Sequence, residues 1–159
     1  MTERFTERVV DAGDDAHLEA VWTLKERIHG EEGVLAQRRE FFVNQYRRSR
    51  DYLVFGDDTD RLTGFAVVRV DGYLSMLGVA PEYRRKGVGT RLITRMAGDH
   101  DRITCHTRVT NERAVAFYTD LGFTVEKRVE YYYRNGDDAY LLALDDGSVD
   151  LLDRLTDAL

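Results

Sequence analysis

The run Arg84-Arg85-Lys86-Gly87-Val88-Gly89-Thr90 constrains this chain more than any other stretch. It follows an apolar run, Tyr73 to Val79, that ends at Pro81, the only proline in the sequence. It precedes apolar residues at Val88, Leu92, Ile93, Met96 and Ala97, the spacing of a helix with one buried face. The order is therefore strand, short loop, helix, with glycines and cations at the junction. Backbone N–H groups at a helix start lack intrahelical partners, and the macrodipole favours negative charge there. Gly87 and Gly89 let a ligand approach the backbone closely, and Arg84, Arg85 and Lys86 add positive charge. Such a junction suits a phosphate or pyrophosphate. A P-loop is excluded, because Gly89 is followed by Thr90 and Arg91 rather than by Lys and Ser or Thr. A dinucleotide fingerprint is excluded too, because Leu92 stands where it needs a third glycine or alanine. An anion cradle of another kind and a basic loop that merely caps a helix both remain.

Composition narrows the class. The chain has 159 residues, enough for one sizeable core, and is 43% hydrophobic and 33% charged, as suits a folded domain. No apolar run approaches the roughly 20 residues that span a bilayer, and Met1 to Arg8 lacks the apolar core of a signal peptide. A single cysteine, Cys105, permits no internal disulfide and suits a reducing, cytoplasmic setting. The net charge of −6 argues against a nucleic-acid partner, and no membrane partner is expected. No Cys/His cluster has zinc-ligand spacing; Asp99-His100-Asp101 reads as a solvated connection rather than a metal site. Only Lys25, Lys86 and Lys127 are lysine among 23 cations. Aspartate pairs recur at Asp14-Asp15, Asp57-Asp58, Asp137-Asp138 and Asp145-Asp146. Genome composition and adaptation to high salt both account for this balance.

In chain order, Thr6 to Val10 reads as a first strand. Asp14-Asp15 opens a helix to Ile28, and a second helix covers Gln37 to Arg48, with Phe41, Phe42, Gln45 and Tyr46 near one face. Strands follow at Tyr52 to Phe55 and Leu62 to Val70. An Asp71-Gly72 turn leads into Tyr73 to Val79. After the helix at the cationic loop, Arg102 to Val109 alternates as a strand, with Cys105 and His106 on opposite faces. Asn111 caps a helix from Glu112 to Leu121 that stops at Gly122. Thr124 to Arg134 and Asp138 to Leu144 are expected to pair as a hairpin across Asn135-Gly136, and Val149 to Leu159 to form a terminal helix. The pattern predicts an α/β fold with a mixed, mostly antiparallel sheet flanked by helices, as a single domain.

Two motifs, in order, carry a family resemblance. Arg84-x-x-Gly87-x-Gly89, after a strand ending Leu77-Gly78-Val79, resembles the acetyl-CoA loop of the GCN5-related N-acetyltransferase (GNAT) superfamily. Asn111-x-x-Ala114-x-x-Phe117-Tyr118-x-x-x-Gly122-Phe123 resembles that superfamily's second signature. The resemblance covers residues 52–144 and leaves 1–51 as acceptor-side helices. It implies acetyl-CoA as donor, with the backbone of Leu77, Gly78 and Val79 on the pantetheine arm. Arg84, Arg85, Lys86, Gly87, Val88, Gly89 and Thr90 would hold the pyrophosphate, and Asn111 would contact the pantetheine. Tyr118 would sit near the thioester sulfur as the acid; a tyrosine hydroxyl can protonate a leaving thiolate. Bacterial members of the branch that acetylates protein N-termini carry a glutamate where this chain has His106, five residues before Asn111. Histidine is a competent base near neutral pH, and a water relay is the alternative.

The stretch Glu130-Tyr131-Tyr132-Tyr133-Arg134-Asn135-Gly136-Asp137-Asp138-Ala139-Tyr140 resembles the hairpin whose tyrosines line the peptide groove of N-terminal protein acetyltransferases. Tyr131 and Tyr133 are the expected groove residues. The expected acceptor is a peptide α-amine, attacking directly in a ternary complex. A small-molecule amine is the main alternative, and a non-catalytic CoA-binding module a third reading. Monomer and homodimer both stay open.

Overall fold

The computed structural model describes residues 4–56 and 60–145. Its elements are β1 Phe5–Val10, α1 Leu18–Glu32, α2 Arg39–Arg48, β2 Arg50–Gly56, β3 Arg61–Val68 and β4 Leu74–Val79. A 3-10 turn, Pro81–Tyr83, leads to α3 Val88–Asp99, β5 Arg102–Arg108, α4 Glu112–Asp120, β6 Thr124–Val129 and β7 Ala139–Asp145. The terminal helix expected over 149–159 lies outside the described residues, as do residues 57–59 of the β2–β3 turn. The class is α/β, as expected. The described strands form two sheets, β1-β2-β3-β4 and β5-β7-β6, and each described ladder is antiparallel. The chain divides into two compact units, Met1–Arg95 and Met96–Leu159. Among the described residues no helix is long and apolar enough to cross a membrane.

In the first unit β2 and β3 are buried almost end to end, which is why they read as continuous apolar runs. Val21, Leu24 and Ile28 of α1 and Phe42 and Tyr46 of α2 close the core with Phe65 and Met76. Phe41, expected on that face, is instead 50% exposed. The acidic pair also behaves differently from expectation. Asp14 Oδ1 accepts the Ala16 N–H at 2.8 Å, and Asp15 pairs with Arg47 at 2.9 Å. These contacts make a turn, so α1 starts later, at Leu18. Lys25, fully buried, bonds the Gln37 carbonyl and lies 4.6 Å from the Trp22 ring centroid.

In the second unit β7 is the central strand. Asn111 caps α4 as expected, its Oδ1 accepting the Ala114 N–H at 3.2 Å. The other end closes as a Schellman motif: Gly122 N–H bonds Thr119 O and Phe123 N–H bonds Tyr118 O, both at 3.1 Å. Gly122 has φ 107, and the Tyr118 and Phe123 rings meet at 5.1 Å, the apolar contact that accompanies this cap. The expected hairpin is shorter than its sequence suggested, because β6 stops at Val129. Tyr131 turns to φ 53 and donates its N–H to Asp138 Oδ1 at 3.1 Å, while Arg128 Nε holds Asp138 at 2.8 Å. A left-handed residue breaks strand alternation, so residues 130–138 form a loop. The turn at Asn135-Gly136 survives inside it, with Gly136 N–H bonding Tyr133 O at 2.9 Å.

Candidate active site

The first unit holds the candidate cofactor residues. The Ala80 N–H donates to the Thr63 carbonyl at 2.8 Å, and Val79 lies opposite Gly64. Antiparallel ladders alternate bonded and non-bonded pairs. The backbone groups of Leu77 and Val79 therefore point away from β3, along the side of β4 that a ligand's amide chain can read. Gly78 is bound by packing: a Cβ there would lie 2.7 Å from Phe65 Cε1 and 2.9 Å from Ile28 Cδ1.

Beyond β4, Arg85 has φ 62 and Gly87 φ 84. Space around Gly87 is open, so glycine is needed there for its conformation. The Arg91 N–H bonds the Gly87 carbonyl at 2.9 Å, closing the first turn of α3. The N–H groups of Val88, Gly89 and Thr90 precede that bond, in the first turn, where a helix lacks its own intrahelical acceptors. Arg85 and Lys86 are exposed beside them. Three donors at a helix N-terminus with two flanking cations fit a diphosphate. Arg84, expected to join them, is turned elsewhere: its guanidinium forms a two-pronged ion pair with Glu32 at the end of α1, Nη2 to Oε1 at 2.6 Å. Gly64, which the sequence reading passed over, lets α3 dock, since a Cβ there would lie 2.6 Å from Val88 Cγ1. An isolated glycine inside an apolar strand was the available signal.

The second unit holds the candidate proton-handling residues. Tyr118, 7% exposed, lies between the rings of Phe117 and Phe123, each at 5.1 Å. Its hydroxyl contacts the Cys105 thiol, which burial pushes up to about 12, so the thiol stays protonated. His106, the next residue of β5, alternates to the other face. It stacks on Tyr132 with centroids 4.3 Å apart and planes at 16°. Burial first, and the Lys127 charge second, lower its pKa below the ordinary 6.5, so it is neutral at pH 7.

The expected groove tyrosines, Tyr131 and Tyr133, lie on a loop beyond the end of β6. Tyr131 is 78% exposed. Tyr133 lies under the Arg108 guanidinium, 3.9 Å from ring centroid to Cζ, and burial lifts its hydroxyl to about 12. Arg108 also bonds Asn135 Oδ1 and Asp137 Oδ2, both at 3.0 Å, pinning the loop to β5. Tyr132, which was not among the expected groove residues, is the ring on His106. Among the described residues no group of three or more His, Cys, Asp or Glu is placed to hold a metal.

Comparison with known proteins gives the family. The chain is 44% identical over 78 residues to N-alpha-acetyltransferase 30 of Xenopus laevis, covering 46% of this chain and 29% of that protein. With N-alpha-acetyltransferase 30 of Schizosaccharomyces pombe it shares 33% over 114 residues, 63% of this chain and 73% of the other. The chain thus spans about three tenths of the frog relative's length and about three quarters of the yeast one's. The fold matches the crystal structure of the NatC complex bound to Gag peptide and CoA, with TM-score 0.70 and 23% identity over 89% of this chain and 98% of that one. Residues 12–123 match the family described as acetyltransferase (GNAT), which takes in both the cationic loop and the Asn111–Phe123 signature. The chain belongs to the GNAT acetyltransferase family.

Proposed function

We propose that this chain is an acetyl-CoA-dependent N-acetyltransferase whose acceptor is the free α-amine of a protein or peptide. The chain is read as one acetyltransferase domain, with residues 52–144 as its core and 1–51 on the acceptor side. The Val88, Gly89 and Thr90 N–H groups, with Arg85 and Lys86, hold the donor's diphosphate. The backbone of Leu77 and Val79 aligns its pantetheine arm, and the Asn111 amide adds a further contact. The Val79 N–H stabilises negative charge developing on the acetyl carbonyl oxygen. His106 takes a proton from the attacking amine. As the C–N bond forms and the C–S bond breaks, Tyr118 gives its proton to the departing sulfur.

The observation that carries the choice of acceptor is the state of His106, half-buried, stacked on Tyr132 and neutral. A base of lowered pKa suits an α-amine, whose reference pKa is about 8, better than a lysine near 10.4. The names of the relatives point the same way. The test is thiol release from acetyl-CoA against three acceptor sets: peptides with free α-amines, the same peptides N-blocked but carrying lysine, and small amines. Turnover is expected on the first set. Preferred turnover of small amines would replace the peptide reading, and CoA binding without turnover on any set would replace the enzyme reading.

A further inference from the structure

Arg84 opens the loop motif, yet its side chain faces α1. Both terminal nitrogens of its guanidinium are engaged by Glu32, Nη1 with Oε2 and Nη2 with Oε1 at 2.6 Å. The pair is sheltered, with side-chain exposures of 26% and 21%. It does not act alone. Arg27, one turn earlier on α1, bonds Glu82 through Nη1 at 2.8 Å and Nη2 at 2.5 Å, and Arg61 of β3 reaches the same carboxylate at 2.8 Å. The segment from Pro81 to Arg84 is thus fixed to α1 at Glu82 and at Arg84. Immediately beyond the second anchor come the left-handed steps at Arg85 and Gly87 that aim the α3 N-terminus. Left-handed backbone is disfavoured for arginine, and persists where neighbouring structure holds it.

We infer that Arg84 is a positioning residue, held by Glu32 so that α1 sets the shape of the anion loop, rather than a ligand of the anion. Two-pronged arginine–carboxylate pairs fix direction as well as distance, which is what a loop entering two left-handed residues requires. The inference rests on the reading of residues 85–90 as the diphosphate site. It assigns Glu32, a carboxylate outside the loop motif, to that site's geometry.

The two roles for Arg84 predict opposite signs. If Arg84 were an anion ligand, Glu32→Gln would release a cation beside the diphosphate and tighten CoA binding. If Arg84 positions the loop, Glu32→Gln loosens it and weakens CoA binding, by about tenfold if the coupling is of ordinary size. Calorimetric titration of the full chain with CoA, with thermal midpoints recorded for each variant, measures this. The slope of affinity against salt adds a second readout. Lys86→Ala removes a charge facing the anion and should flatten the slope, whereas Glu32→Gln should leave it unchanged. The charge swap Glu32→Arg/Arg84→Glu restores the pair and should recover affinity relative to Arg84→Glu alone; it decides the matter if Glu32→Gln fails to fold. Tighter CoA binding by Glu32→Gln, or a swap no better than Arg84→Glu, overturns the inference. Absence of CoA binding by the unaltered chain overturns the loop assignment instead.

Discussion

The segment running from β3 to the start of α3 presents backbone and fixed charge, whereas β5 and α4, with the 130–138 loop, gather rings around Tyr118 and His106. In the first, two glycines allow close packing, Gly64 under Val88 and Gly78 under Phe65 and Ile28, and ion pairs hold the loop in place. In the second, Tyr118 is enclosed by Phe117 and Phe123, and His106 is covered by Tyr132. The contrast follows the chemistry proposed for each. Holding a dianion calls for donors and cations that do not change state. Moving a proton calls for groups whose charged forms are kept scarce until they are needed.

The largest expected effect tests the second region. Tyr118→Phe keeps the ring packing and removes the proton, and turnover should fall by about 10²–10⁴-fold with CoA affinity unchanged. Pre-steady-state measurement, isolating the chemical step, checks this; an unaltered step would reduce Tyr118 to packing. Next, in the first region, Gly64→Val places a side chain against Val88 and should destabilise the fold by about 1–3 kcal/mol while weakening CoA binding. Urea unfolding together with CoA titration measures both. Loss of stability with full affinity would mean that α3 can seat its N-terminus without close docking.

Asp51, on β2 of the first unit, gives a pH-dependent test. It is fully buried with neither carboxylate oxygen hydrogen-bonded, and burial raises its pKa to about 9. The folded state therefore holds a proton that the unfolded chain releases near pH 4. Its contribution to stability is full below that value and is lost as pH rises towards 9. Asp51→Asn should remove this loss, so the gap between variant and parent in denaturation midpoint should be wider at pH 8.5 than at pH 5. A gap independent of pH would mean that the carboxyl finds a partner. The smallest effect concerns His106. Its acidic limb in kcat/KM should lie below pH 6.5, and activity should fall as pH drops through it. Lys127→Gln removes the lesser of the two causes of that lowering, so the limb should move upward. A stationary limb would assign it to another group.

Much of this was legible in the sequence because local chemistry fixed it. Asn111 and Gly122 bracket α4 as caps do anywhere, and Gly87 takes the left-handed backbone that only glycine adopts readily. The loop and signature motifs gave the family for the same reason. What stayed hidden depended on partners distant in sequence. Nothing in the loop motif signals that the Arg84 guanidinium pairs with Glu32, at the end of a helix far earlier in the chain. The reading of the tyrosines assumed a strand to Arg134. The Asp138 carboxylate, by capturing the Tyr131 N–H, ends that alternation and brings Tyr132 to His106. Asp14 and Asp15 resembled a helix start, and only the Arg47 pairing shows them as the turn before one.

The burial of Lys25 has a practical consequence. Of the three lysines, one is sealed against Trp22, and the other two, Lys86 and Lys127, are exposed in different units. An amine-reactive label applied to the native protein therefore has two side-chain targets with distinct meanings. Lys86 lies in the loop proposed to hold the diphosphate and should be shielded when that loop is filled. Lys127 lies on β6 and serves as an internal standard for reagent dose. The ratio of the two adducts, read by peptide mass spectrometry, gives fractional occupancy without a chromophore or a coupled assay. A Lys25 adduct, in the same spectrum, reports the fraction of molecules that have unfolded.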